Sequence, residues 1–282
     1  MTRNGIQDPE AIHQDLRKLN PIFNFTPTWQ TQISEFLRVR DVRHVISICL
    51  CGCIWQPFFP QNSLPNRQGV GQFLEGVSES LAARGGRSES AWRVLTLRGI
   101  DALGGSIIES SPVESTVQRV LETLRPLTMP SESAGFEEDL VGIVKMSVTL
   151  WEAARKDEAK FVVVKQPDPS DQEKWQAQDM CGLEEASMPP DENIDTTGIE
   201  PLCLFPNILQ ITPRGEPVVL HQGSALFPTS QVWIQGILEK KEHKEALVKA
   251  VSDARSEVNA RRTSFPTGPN SPAEGEFPLT QT

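Results

Sequence analysis

Residues 201–239, PLCLFPNILQITPRGEPVVLHQGSALFPTSQVWIQGILE, constrain the fold more than any other stretch of this chain. Two apolar runs flank a turn. Leu202, Leu204 and Phe205 lead through Pro206 to Ile208, Leu209 and Ile211; Val218, Val219 and Leu220 lead through His221 and Gly223 to Ala225, Leu226 and Phe227. Between the runs, Pro213 pre-sets φ for a turn and Gly215 adopts positive φ at no steric cost. The pattern predicts a hairpin integral to the core, with Phe205 and Phe227 both buried. Pro206 and Pro217 cannot donate to a ladder, so the strands should be short and irregular. The triplet Leu-Phe-Pro, at 204–206 and again at 226–228, suggests matched ends of the hairpin. Beyond it Thr229 or Ser230 caps a helix whose Trp233, Ile234, Ile237 and Leu238 share a face.

An isolated hairpin is only marginally stable, so it needs a further strand or a helical surface. Residues 161–165, Phe-Val-Val-Val-Lys, are a strand by propensity and should complete a three-stranded antiparallel sheet. The helical surface comes earlier in the chain. A first helix begins at Thr28, with Trp29, Ile33, Phe36 and Leu37 on one face, and a second over 41–55 carries Val42, Val45, Ile46, Cys49 and Cys53. Pro57 and Pro60 end it. Four more stripes follow. Val70, Phe73, Leu74, Val77 and Leu81 form one; Trp92, Val94, Leu95, Leu97, Ile100 and Leu103 cover a wide arc and predict the most buried helix. Val113, Val117, Val120, Leu121 and Leu124 form the third; Phe136, Leu140, Ile143, Val144, Ser147 and Trp151 form the last, over 136–156. These stripes start about 22 residues apart, a step that suits either an antiparallel bundle or, less well without a residue repeat, an α-solenoid.

Charge divides the rest. Residues 166–200 hold ten acidic side chains against Lys174 alone, nine of the ten net negative charges of the chain. With its Pro and Ser content this segment reads as a disordered linker. The remainder is near neutral and shows no basic face, which argues against nucleic acid as a partner. The 282 residues, 38% of them apolar, allow one large or two small domains. The chain therefore reads as mainly α. A flexible N-terminal arm with a short helix (1–27) precedes an antiparallel helical bundle (28–160). A small antiparallel β element (161–165 and 201–229) packs on the bundle, interrupted by the acidic linker (166–200). A projecting, solvated C-terminal helix (230–262) and a disordered tail (263–282) complete it.

Two parts carry a resemblance. Leu204-Phe205-Pro206, Val219-Leu220-His221-Gln222-Gly223 and Ala225-Leu226-Phe227, followed by a charged helix, resemble the C-terminal part of uncharacterised proteins of filamentous fungi. The run Phe25-Thr26-Pro27-Thr28-Trp29, Phe36-Leu37 and Arg40-Asp41-Val42-Arg43-His44 is similar to an earlier part of the same proteins. The resemblance covers about a third of the chain. It implies a fungal source and no activity.

The residues that carry chemistry are few. Cys49, Cys51 and Cys53 invite a metal reading, since thiolates bind zinc and copper(I). On a helix, however, Cys51 lies about 200° from Cys49, so the three sulfurs cannot converge; Cys49 and Cys53 read as small core residues. Asp41, His44 and Cys49 contain a Cys–His pair at an offset unsuited to one helix face. His221 and Ser224 are the best base and nucleophile candidates, but they lie outside any Gly-x-Ser-x-Gly motif. No cofactor fingerprint is present, and no catalytic, cofactor or metal residue is assigned. Arg261-Arg262-Thr263-Ser264 makes Ser264 a candidate phosphorylation site. The first residues lack the apolar core of a secretory signal, the five cysteines are odd in number, and the apolar run 45–55 is too short to span a bilayer. The expectation is a non-catalytic intracellular interaction or scaffold protein, cytoplasmic or nuclear, with protein partners and no membrane span. The alternatives are a hydrolase using His221 and Ser224, or a metal-binding regulator using Cys49, Cys51 and Cys53.

Overall fold

A computed structural model describes residues 31–58, 69–104, 112–127, 133–178, 196, 198–212 and 216–263. The helix expected near residue 9 and the tail from 264 onward lie outside them. The chain is mainly α, with small sheets and a C-terminal helix. Its helices are α1 (Gln32–Cys53), α2 (Val70–Ala82), α3 (Gly86–Gly104), α4 (Pro112–Leu124), α5 (Ser133–Arg155) and α6 (Gln231–Thr263). Its strands are β1 (Lys160–Val164), β2 (Gln176–Ala177), β3 (Leu202–Phe205), β4 (Asn207–Ile211), β5 (Pro217–His221) and β6 (Ser224–Leu226). Residues up to Ile237 form one compact unit, and those from Leu238 a second.

The two helices expected over 28–55 are one. Thr31, rather than Thr28, is the N-cap of α1, its Oγ1 accepting from the Ser34 amide at 3.1 Å. The change of apolar face near Arg40, which suggests a break, is a change of neighbour. Leu37 packs with Leu202, Leu204, Leu226, Val232 and Trp233. Further along, Val45, Cys49, Leu50 and Ile54 join Val117, Val120 and Leu124 of α4 and Leu140, Val144 and Trp151 of α5. Ile54, Val120, Leu124 and Val144 are fully buried, each stabilising the fold by roughly 1.5–3 kcal/mol.

The stripes of α4 and α5 thus face the core, although Ile143 is exposed. Helix α3 is not the most buried. Leu97 is inside, but Leu95 is 66% exposed, because Glu89 and Arg93 occupy the inner face of this helix. Helix α2 likewise turns Gly71 and Ser78 inward and leaves Phe73 outside.

The strands form two sheets instead of one. Strand β4 pairs antiparallel with both β1 and β5, setting Leu209 opposite Val162 and Val219. The hairpin turn closes where expected, the Thr212 amide donating to Glu216 O at 3.0 Å. The second sheet has the order β2-β6-β3. Strands β3 and β6 are antiparallel, with Leu226 opposite Leu202 rather than Leu204, so the Leu-Phe-Pro triplets are not in matched register. Strand β2 runs parallel to β6, which corrects the all-antiparallel expectation. The β3–β6 and β4–β5 ladders shift register on either side of Pro206, which has no amide to donate and lies between the sheets.

The first part of the acidic linker is ordered. Asp168 caps a 3₁₀ turn over Pro169–Lys174, and β2 follows directly. The amides of Gln176 and Gln178 donate to Gly223 O at 2.7 Å and Ala225 O at 2.9 Å. Trp175 is 6% exposed among Cys203, Ala225 and Phe227. Burial of that indole and two backbone bonds outweigh the local charge. Residues 179–195 lie outside the described residues. Phe227 is buried as expected. Phe205 is half-buried, its ring edge-on to Trp55 with centroids 5.8 Å apart.

Helix α6 starts with the Ser230 hydroxyl accepting from the Trp233 amide at 3.4 Å. Val232 and Trp233 are buried, and residues 241–258 are exposed all round. Among the described residues, no helix is long and apolar enough to cross a membrane.

The Trp175 ring crowds Gly223, where an added Cβ would sit 2.6 Å from Asn207 N and closer still to the indole ring. Gly223→Ala should therefore cost roughly 1–3 kcal/mol in urea denaturation. In a Trp175→Leu background the same change should cost clearly less; equal costs would mean that the ring is not what excludes a side chain there.

Candidate functional site

Ser78 interrupts the apolar stripe of α2, four residues after Leu74 and three before Leu81, and it is 2% exposed. A buried hydroxyl needs partners. Ser78 Oγ donates to Glu89 Oε1 at 2.8 Å and accepts from Lys160 Nζ at 3.1 Å. Glu89, on α3, also accepts from Arg93 Nε at 3.1 Å, one turn along the same helix. Arg93 reaches onward to the end of α5: Nη1 donates to Arg155 O at 3.2 Å and Asp157 O at 3.0 Å, and Nη2 to Glu158 O at 2.8 Å. A guanidinium there satisfies carbonyls that a helix end leaves without partners and suits the negative end of its dipole. Ser90 Oγ also donates to Glu158 O, and Asp101 accepts from Arg155 Nη2 at 2.5 Å. The α2–α3 pair is thereby tied to the junction of α5 and β1.

A cavity of about 300 Å³ opens beside this cluster. The end of α1, α2, α5 and β1 enclose it. Trp55, Phe58, Trp151 and Phe161 supply aromatic walls; Glu75 and Glu79 line it from α2, and Lys160 and Lys165 from the β1 side. Charged and aromatic side chains thus share its lining. The Cys51 thiol also lines it, and burial pushes that thiol up to about 12, so it stays protonated at neutral pH.

The residues singled out from sequence are dispersed. Cys49 lies in the α1–α4–α5 core with its thiol pushed by burial to about 11. Cys51 is buried, and Cys203 is raised to about 12 by burial and then by the nearby Cys51. Cys53 is half-buried, 3.8 Å from Arg119 Nη1. Neutral thiols are poor nucleophiles and poor metal ligands. Among the described residues, no three His, Cys, Asp or Glu side chains come together as a metal-holding group. His221 and Ser224 stand on different sheets. The His221 ring lies against Phe205, centroids 4.6 Å apart, and no hydrogen bond joins it to Ser224 among the described residues. Ser264 and Cys181 lie outside the described residues.

His44 has a structural partner: its Nδ1 hydrogen-bonds Cys203 O at 2.8 Å, and Ser47 Oγ donates to Leu204 O at 2.6 Å. Sequence reasoning missed Ser78, Glu89, Lys160 and Trp175. A serine within an apolar stripe was the available sign for the first. Compared with family models, curated proteins and solved structures, the chain shows no match.

Removing the Arg93 guanidinium would leave Glu89 buried without its ion-pair partner and the Arg155 and Asp157 carbonyls without their donor. Arg93→Met should cost roughly 3–5 kcal/mol in chemical denaturation. Adding Glu89→Gln should recover part of that loss; no recovery would place the cost in the carbonyl contacts alone.

Burial lowers the pKa of His44 from its ordinary 6.5, against the opposing pull of the Cys203 carbonyl. The unfolded chain then takes up a proton first as pH falls. Stability should be highest above 6.5, decline as pH drops through 6.5 towards the folded-state value, and level off below it. His44→Asn keeps a donor for Cys203 O and has no titrating ring. It should flatten the pH dependence of the melting temperature in that window, and an unchanged slope would assign the effect to other groups.

Proposed function

We propose that this is a non-catalytic intracellular interaction protein, and that it takes an extended, uncharged, apolar segment of a protein partner along the outer edge of β5. The observation that carries the reading is the exposure of that strand. All five of its residues are exposed, and Val218, Val219 and Leu220 are consecutive, so neither face of the strand is covered. Folded proteins rarely leave such a run to water without a use for it. β5 is also the end strand of its sheet, with β4 on one side only. An edge of this kind pairs with incoming strands through its backbone, and natural proteins usually blunt it with charge. This strand carries no Lys, Arg, Asp or Glu, and Pro217 guards only its first position. The intracellular setting is supported by cysteines 49, 51, 53 and 203, all free, Cys51 and Cys203 close enough to influence each other.

Val219 is 57% exposed, so Val219→Lys should leave stability within about 0.5 kcal/mol while placing a charge on the edge. Wild type and variant are used in parallel to capture partners from the native host. A partner retained by the wild type and lost by Val219→Lys is then purified. Its complex should protect the amides of 217–221 from hydrogen exchange. A partner held equally by both proteins, or a complex that leaves these amides exchanging freely, would refute binding along β5.

A further inference from the structure

The cavity between α1, α2, α5 and β1 carries charges of both signs on a scaffold that is already fixed. Its aromatic walls are held from behind. The Trp151 indole donates to Gln56 O at 2.8 Å, Phe58 is edge-on to Trp92 with centroids 5.7 Å apart, and Trp55 is edge-on to Phe205. A ligand therefore meets rings whose ordering cost has been met by folding. Glu75 and Glu79 are one helical turn apart on α2 and face the same space. Lys160, the first residue of β1, brings its ammonium to Ser78 on the same helix, and Lys165 lines the cavity just past the far end of the strand. Among the described residues, none of these four side chains is in an ion pair within 4 Å. Lys160 donates one hydrogen to Ser78 Oγ, and an ammonium has two more.

These observations select a charge pattern. A simple anion would meet two carboxylates, and a simple cation two ammonium groups. A molecule carrying one charge of each sign close together satisfies both Lys160 and the two carboxylates, and an apolar or aromatic body fills the space between the rings. We propose that the cavity binds a small zwitterion with a large apolar body, of the α-amino-acid class. Its carboxylate lies on Lys160, its ammonium on Glu75 and Glu79, and its side chain against Trp55, Trp151 and Phe161. The ammonium gains further from the aromatic faces. The buried Cys51 thiol, neutral as it stands, forms part of the wall and takes no part in recognition. The site is separate from β5, and either can fail without the other.

The test is calorimetric titration of the full chain with tryptophan, phenylalanine and methionine as probes. Tryptamine and indole-3-propionate, each lacking one of the two charges, serve as controls. At least one amino acid should bind, and each one-charge control should bind about tenfold more weakly than tryptophan or worse, as expected for loss of a charged hydrogen bond. Glu79→Gln, at an exposed position outside the Ser78 cluster, should weaken binding while the melting temperature holds, and Lys165→Gln, at the far end of β1, should leave binding unchanged. Absence of heat with all three amino acids at millimolar concentration overturns the proposal. So does equal binding of tryptamine or indole-3-propionate, or full affinity in Glu79→Gln.

Discussion

The larger unit depends on two hydrogen bonds from one helix to one strand. His44 and Ser47, on adjacent turns of α1, take the carbonyls of Cys203 and Leu204 at the start of β3. β3 has a ladder partner on one side, β6, and α1 packs beside it. Two consecutive carbonyls point to opposite sides of a regular strand, so one helix can donate to both only where the strand is irregular. The register shift between Cys203 and Phe205, just before Pro206, supplies that irregularity. The proline that shortens the ladder is thus also the reason the strand can be held by a helix. α1 in turn is buried on several sides, with Cys49 towards α4 and α5 and Cys51 towards Cys203.

This double duty explains which parts were legible in the sequence. A helix with one neighbour shows a single stripe. α4 and α5 do, and Val117, Val120, Leu124, Leu140, Val144 and Trp151 lie inside as their spacing requires. α1 has apolar neighbours in two directions, and one stripe following another looked like two helices. α3 misled in the opposite sense. Its apolar residues span a wide arc, but polar Glu89 and Arg93 hold the inner face, and Leu95 faces water. Periodicity reports where apolar residues lie; it does not report that a buried ion pair with good partners can take their place. Trp175 is the third case. Composition over 166–200 averages one buried indole into a field of carboxylates, whereas pairing of β2 with β6 is decided by two residues and their neighbours.

The candidate site was the least legible part because its members come from separate elements. Ser78, Glu89, Arg93 and Lys160 lie on α2, α3, α3 and β1, and no short spacing relates Lys160 to the others. His221 and Ser224 are near in sequence, and that nearness makes them visible; one ends β5 and the other begins β6, which belong to different sheets. For Cys49 and Cys51, burial adds a second reason to helix geometry, since it holds their thiols protonated.

Lys160 belongs to two systems at once, and this links the cavity to the frame around it. One of its hydrogens goes to Ser78 Oγ, whose own proton goes to Glu89, whose other partner is Arg93. Charges therefore alternate along the chain of bonds: ammonium, hydroxyl, carboxylate, guanidinium. Each bond in such a sequence polarises the next, and the carboxylate is compensated from both sides. Arg93 spends its remaining donors on the end of α5, which carries Trp151 of the cavity wall on its last turns. The ammonium that faces the cavity is thus positioned by the same contacts that join α2 and α3 to α5 and β1. A group entering the cavity meets a lysine whose place is set before it arrives, and any loosening of the α3–α5 joint would be felt first at that lysine.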